Sequence, residues 1–93
     1  MKGKKTAKLN LLRSQIDALD KKIVPLLNKR ARLAVMAWHA KKTDGKKLFD
    51  PKREKAIIEH VSGRNSGPLS NDALKRIYKE IVRQCRWLSR PSK

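Results

Sequence analysis

The sequence predicts an all-α protein of three helices, the first very long, the second short and the third of medium length. Three observations support this fold class. Apolar residues recur at steps of three and four along the first half of the chain, which is the spacing of one helix face. Two later segments begin with residues that favour helix N-termini. No segment alternates apolar and polar residues as a half-buried strand does.

The first predicted helix carries an apolar seam with a coiled-coil period. Its members are Leu9, Leu12, Ile16, Leu19, Ile23, Leu26, Leu33, Ala37 and Ala40. Glycine is absent from residue 4 to residue 44, so the helix should span about 35 residues, or about 50 Å. Pro25 lies inside it and should bend it. Since two shorter helices are too short to cover this seam, we predict a dimer in which the long helices of two chains pack together.

The second and third helices are predicted from their terminal residues. In "DPKRE", Asp50 is a suitable N-cap and Pro51 suits the first helical position. Gly63 is the expected C-cap, and "GRNSGP" is a turn-rich connection. Ser70 should cap the third helix. Its expected buried stripe consists of Leu74, Ile77, Tyr78, Ile81, Cys85 and Leu88.

The composition limits the function classes without choosing one. Lysine and arginine total 25 against 8 acidic residues, a formal net charge of +17, which attracts nucleic acid, acidic membranes or small polyanions alike. Residues 1–8 are expected to be a basic, disordered arm, 9–89 the helical domain and 90–93 a C-terminal tail. The single cysteine excludes an internal disulfide, and no run approaches the roughly 20 apolar residues of a membrane span. The expected location is the cytoplasm, without membrane association.

Two cations interrupt the apolar seam of the first helix. Arg30 and Lys41 are separated by 11 residues, which is about 20° from a whole number of helical turns over about 16 Å. Two long side chains on one face could therefore close on a small anion. Alternatively, Arg30 buries its stem and extends its charged head into water, while Lys41 suits the negative end of the helix dipole.

Other charged residues have comparable alternatives. Arg13 lies about 25 Å before Arg30 along the helix axis, so it reaches the same small ligand only from a partner chain; alone it is a surface arginine. Arg53 and Glu54 lie at the edge of the second helix's buried face, with the flanking lysines toward solvent. A capped, charged helix start explains that segment equally well.

Several kinds of site are not favoured. The two histidines, His39 and His60, are not spaced as metal ligands, so no metal is expected, and the chain has neither a phosphate-binding glycine loop nor a nucleophile paired with a base. Four aromatic residues are too few for a base-stacking platform.

Four blocks of the sequence resemble the all-helical chorismate mutases of the AroQ class. They are "LRSQIDALDKKIVPLLNKRARLAV", "AKK", "FDPKREKAII" and "NSGPLSNDALKRIYKEIVRQCRWL", and the similarity runs from about Leu9 to Leu88. The resemblance implies an intertwined homodimer that rearranges chorismate to prephenate for phenylalanine and tyrosine synthesis, without a cofactor. It leaves open whether the chain works alone or with another aromatic-pathway enzyme.

The resemblance also implies roles for the cations. Arg13 matches the arginine that one subunit donates to a substrate carboxylate in the other subunit's site. Arg30 matches the arginine that binds a carboxylate within its own subunit. Lys41 matches the lysine that contacts a carboxylate and the breaking ether oxygen, and Arg53 matches a further active-site arginine.

The remaining matched positions include two departures from the family pattern. Asp50 and Glu54 match acidic residues near the substrate's ring hydroxyl. Cys85 stands where the family usually has serine, and Ser89 where it usually has a glutamine or glutamate that serves the ether oxygen. A thiol is a weaker donor than a hydroxyl, and serine is shorter than glutamine, so the donor set around the ether oxygen is reduced.

Two alternatives to a chorismate mutase follow from these features. Cys85 and Ser89 motivate a protein of the same fold with weak or altered activity, either a regulatory domain or an enzyme like isochorismate pyruvate lyase. The charge of +17 motivates a helical nucleic-acid binder with salt-dependent affinity. The nucleic-acid hypothesis gives no reason for Arg30 to interrupt an apolar seam.

Overall fold

A computed structural model describes residues 2–42 and 50–90. It contains three helices: α1 (Lys2–Lys42), α2 (Pro51–Gly63) and α3 (Asn71–Ser89). Their lengths of 41, 13 and 19 residues follow the predicted order, and the described ranges contain no strand. The predicted all-α, three-helix fold class is therefore confirmed. Within the same ranges, no helix is both long and apolar enough to cross a membrane.

The chain divides into two compact units, Met1–Arg30 and Ala31–Lys93. In the first unit α1 starts earlier than the sequence pattern indicates, because residues 2–8, the expected disordered arm, are helical. Lysine and alanine, which both have good helix propensity, make up most of these residues, and Gly3 and Thr6 are the exceptions. The boundaries of the domain and of the C-terminal tail remain predictions.

The apolar seam of the first unit is largely exposed in a single chain. Each of its members is between 45% and 63% exposed: Leu9, Leu12, Ile16, Leu19, Ile23 and Leu26. Pro25 lies within α1, and the helix continues on both sides of it. About half of each seam side chain is therefore available for burial against another chain.

In the second unit α2 begins as predicted and ends differently. Asp50 is the N-cap, and its Oδ1 accepts a hydrogen bond from the backbone N–H of Arg53 at 3.1 Å. Gly63 is the last helical residue rather than the predicted C-cap, a position that Arg64 occupies in a right-handed conformation. The N–H groups of Arg64 and Asn65 donate to carbonyls three residues back, each at 3.2 Å. This tightened last turn satisfies the helix end, so no left-handed glycine is required.

The connection between α2 and α3 is organised by one asparagine. Asn65 donates from its amide to the Leu69 carbonyl and to Asn71 Oδ1, both at 2.8 Å. Its own Oδ1 accepts from the N–H of Gly67 at 3.0 Å, and Gly67 has a φ of +78°, which favours glycine. Ser70 then caps α3 as predicted, accepting from the Ala73 N–H at 3.0 Å. The turn and the start of α3 are thus held by short-range hydrogen bonds.

Helices α2 and α3 pack against each other, and the predicted stripe of α3 is covered unevenly. Cys85 is buried, while Leu74, Tyr78 and Ile81 are half-buried. Ile77 and Leu88 are 46% and 52% exposed, so the prediction that they are buried is wrong for the single chain. At 100° per residue, these two lie on the same edge of the stripe. That edge is the part of the stripe that α2 leaves uncovered.

Candidate active site

The α1 lysine singled out by the sequence forms an ion pair with the N-cap of α2. Lys41 Nζ donates to Asp50 Oδ2, and both side chains are half-buried. The other oxygen of Asp50, Oδ1, accepts from the backbone of α2 at Arg53. One carboxylate therefore both starts α2 and holds the lysine's ammonium group in place.

The second acidic candidate, on α2, is paired with a residue of α3. Glu54 Oε2 accepts a hydrogen bond from Arg86 Nη1, and each side chain is 30% exposed. Asp50 precedes α2 as its N-cap and Glu54 lies in the first turn, where its backbone N–H donates to the Asp50 carbonyl at 3.0 Å. Each of these carboxylates is neutralised by a cation from another helix, which lowers the electrostatic cost of bringing an anion to this face of α2.

Arg86 is a site candidate that the sequence did not reveal. It follows Cys85 directly and precedes Ser89 by three residues, so its position beside two candidates was a possible signal. Its partner, however, is 32 residues away on a different helix. Apolar periodicity cannot identify such a pair, because it reports only which face of one helix is buried.

The two α3 candidates, Cys85 and Ser89, are buried and joined by a hydrogen bond. They are 7% and 5% exposed, and the Ser89 hydroxyl donates to the Cys85 carbonyl oxygen at 2.8 Å. A carbonyl oxygen can only accept, so the single hydroxyl proton of Ser89 is used inside α3. This bond to the preceding turn is a common one for serine in helices. Ser89 therefore offers no hydroxyl donor beyond its own helix in this arrangement.

The remaining candidates are arginines with different exposure. Arg13 is exposed and Arg30 half-buried, and both lie on α1 in the first unit. Arg53 is exposed in the second unit, where its backbone rather than its side chain bonds Asp50. The exposed Arg53 differs from the inward edge position that the helix pattern indicates. Substrate contacts of all three arginines remain predictions.

A groove of about 300 Å³ lies between α2 and α3. Its lining residues are Glu54, Lys55, Ile58, Lys75, Lys79 and Val82. Three lysines stand against one carboxylate, so the groove is positive, and its apolar wall comes from Ile58 and Val82. Such a lining suits an anion that also has an apolar part. In the described part of the chain, no group of three or more histidine, cysteine or acidic side chains could hold a metal ion.

Comparison with known proteins identifies similar sequences and structures. The family model for chorismate mutase type II matches residues 12–90. A bifunctional chorismate mutase/prephenate dehydratase from Stutzerimonas stutzeri is 34% identical over an alignment of 88 residues, and the alignment covers 89% of this chain and 24% of the relative. The corresponding enzyme of Aquifex aeolicus is 36% identical over 81 residues, 83% of this chain and 22% of the relative. The chain thus spans about a quarter of the length of these curated relatives.

The chain is also similar to solved structures of a chorismate mutase. Form II of the chorismate mutase from Thermus thermophilus has a TM-score of 0.84 and 27% identity, covering 88% of this chain and 93% of that chain. Form I has a TM-score of 0.79 and 27% identity, covering 84% and 98%.

Proposed function

Because this chain belongs to the chorismate mutase type II family, we propose that it is an isomerase that rearranges chorismate to prephenate. The family match over residues 12–90 carries this proposal, supported by the similarity to the Thermus chorismate mutase structures. It also confirms the resemblance that the four sequence blocks indicated. Within this proposal the reaction serves phenylalanine and tyrosine biosynthesis.

The chemistry requires binding and positive charge more than acid–base groups. Chorismate carries two carboxylates, and its rearrangement forms and breaks bonds within one molecule. The protein has to hold a reactive conformer and to stabilise negative charge that develops on the ether oxygen. We assign carboxylate binding to Arg30 and to Arg13 of the partner subunit, and the ether oxygen to Lys41. The Lys41–Asp50 ion pair supports this, because it keeps the ammonium group at the start of α2.

The remaining predicted substrate contacts come from α2 and α3. We assign the ring-hydroxyl side of the site to Asp50 and Glu54, with Arg53 as a further cation and Cys85 and Ser89 at the edge near the ether oxygen. The half-buried state of both acids supports their assignment. The inward hydrogen bond of Ser89 means that this residue contributes shape rather than a donor.

The functional unit in this proposal is a homodimer. Its support is the exposed apolar seam of α1, whose members are about half exposed in the single chain. A partner helix would bury that seam, and it would bring a second Arg13 with it. The two sites would then be shared between subunits.

We further propose a cytoplasmic setting and an association with another enzyme of the same pathway. The lone cysteine supports the first, since oxidising compartments favour disulfide-bonded proteins of this size. The second is supported by the Stutzerimonas and Aquifex relatives, which are bifunctional chorismate mutase/prephenate dehydratases.

The proposal is tested by following chorismate consumption and identifying the product. Arg30→Ala and Lys41→Ala should each lower turnover by about 10²–10³-fold, which is the cost of losing one transition-state contact. Matched controls are Arg32→Ala on α1 and Lys52→Ala on α2, both at exposed positions. A folded dimer without turnover would refute the proposal. Release of pyruvate from isochorismate instead of prephenate formation would favour the lyase alternative.

A further inference from the structure

The ion pair between Glu54 and Arg86 differs from the other arginine–glutamate pair in the described ranges. Glu80 and Arg83 are three residues apart on α3, and their side chains are 52% and 64% exposed. Glu54 and Arg86 join α2 to α3 and are each 30% exposed. An exposed pair within one helix contributes little, whereas a half-buried pair between helices fixes where its carboxylate lies.

Glu54 keeps one oxygen for another donor. Its Oε2 accepts from Arg86, and within the described residues its Oε1 accepts no hydrogen bond. An ionised carboxylate has acceptor capacity on both oxygens. A carboxylate held by one oxygen presents the other in a defined direction, which suits a hydroxyl group on a bound ligand.

Arg86 also neutralises the negative charge of Glu54. A substrate with two carboxylates is repelled by an unpaired glutamate at a half-buried position, where water screens the charge less. Ser89, one helical turn beyond Arg86, directs its hydroxyl to the Cys85 carbonyl. Of these two side chains, Arg86 is the one that bonds to α2.

We propose that Arg86 is a positioning residue of the site: it holds Glu54 by Oε2 so that Oε1 accepts the substrate's ring hydroxyl, and it cancels the negative charge that would repel a dianion. This inference rests on the proposed function. It adds a role for an α3 residue outside the predicted contact set, and Arg86 acts through Glu54 rather than through the substrate.

The test is a double-mutant cycle with chorismate kinetics. Arg86→Gln leaves Glu54 charged and unpaired, so KM should rise by about tenfold or more, with a smaller change in kcat. Adding Glu54→Gln removes the unpaired charge, so the double variant should have a KM within about threefold of Glu54→Gln alone. Arg86→Lys keeps the positive charge but lacks the planar guanidinium group with its several N–H donors. Its KM should lie between those of wild type and Arg86→Gln.

The outcomes separate this inference from the proposed function. Arg83→Gln is the matched control, and it should leave KM within about twofold of wild type because its pair is exposed. Effects on KM that multiply in the double variant, as for two independent substitutions, would indicate a structural role and overturn the inference alone. A wild-type dimer without turnover would overturn the proposed function as well. If Arg86→Gln does not fold, the cycle with Arg86→Lys gives the comparison with a smaller expected rise in KM.

Discussion

Replacing Leu19 by alanine should weaken dimerisation by about 30- to 150-fold. Leu19 lies on the apolar seam of α1 and is 57% exposed in the single chain. Full burial of a leucine side chain contributes about 1.5–3 kcal/mol, so burying the exposed half contributes about 1–1.5 kcal/mol per chain. A symmetric dimer loses this contribution twice. The total of about 2–3 kcal/mol gives the expected change at 1.4 kcal/mol per tenfold.

Sedimentation equilibrium over a range of protein concentrations measures this effect. Leu11→Ala is the matched control, because Leu11 is 59% exposed and lies outside the seam. Leucine and alanine have similar helix propensity, so both substitutions should leave α1 intact. Chorismate turnover per chain should fall on dilution together with the dimer, since the proposed site takes Arg13 from the partner subunit. Equal weakening by both substitutions, or a wild-type chain that stays monomeric, would refute the reasoning.

Two further predictions concern α3. Ser89→Gln should raise the rate of prephenate formation by about tenfold, because the family that the chain resembles usually has a glutamine or glutamate serving the ether oxygen here, while the Ser89 hydroxyl is directed to the Cys85 carbonyl; an unchanged or lower initial rate would contradict this. The pKa of Glu80 is lowered, chiefly by the hydrogen bond from Arg83 and also by that from Gln84. A lowered folded-state pKa contributes stability above the carboxyl's ordinary pKa, and this contribution is lost as the pH falls through the folded-state value. Glu80→Gln should therefore slightly lower the thermal midpoint at neutral pH and leave it unchanged in strong acid, whereas a difference independent of pH would argue against the pairing.

The starts of α2 and α3 were predictable because their causes are local. An N-cap such as Asp50 or Ser70 bonds a backbone N–H three residues later, so the residue type at one position is sufficient. The end of α2 was not predictable from Gly63, since backbone bonds of the following residues closed the helix without a left-handed glycine. The start of α1 was also missed, because basic composition resembled a disordered arm although most of its residues favour helix.

In the candidate site, too, the sequence indicated some features and not others. Residue types and the family pattern identified Arg13, Arg30, Lys41, Asp50, Arg53, Glu54, Cys85 and Ser89 as candidates. They did not indicate which side chains pair with one another. Arg86 was absent from that set because its contact with Glu54 joins two helices and leaves no periodic signal in either one.

The sequence by itself determined the all-helical class, the order of helix lengths, the N-caps of α2 and α3, and the apolar seam of α1. These features depend on backbone propensity and on spacing within one helix, which the chain carries locally. Only the tertiary structure decided that Asp50 pairs with Lys41, that Glu54 pairs with Arg86, and that Ile77 and Leu88 stay exposed. The physical reason is that such contacts depend on which residues distant in the sequence are brought together by folding and on how far each side chain reaches.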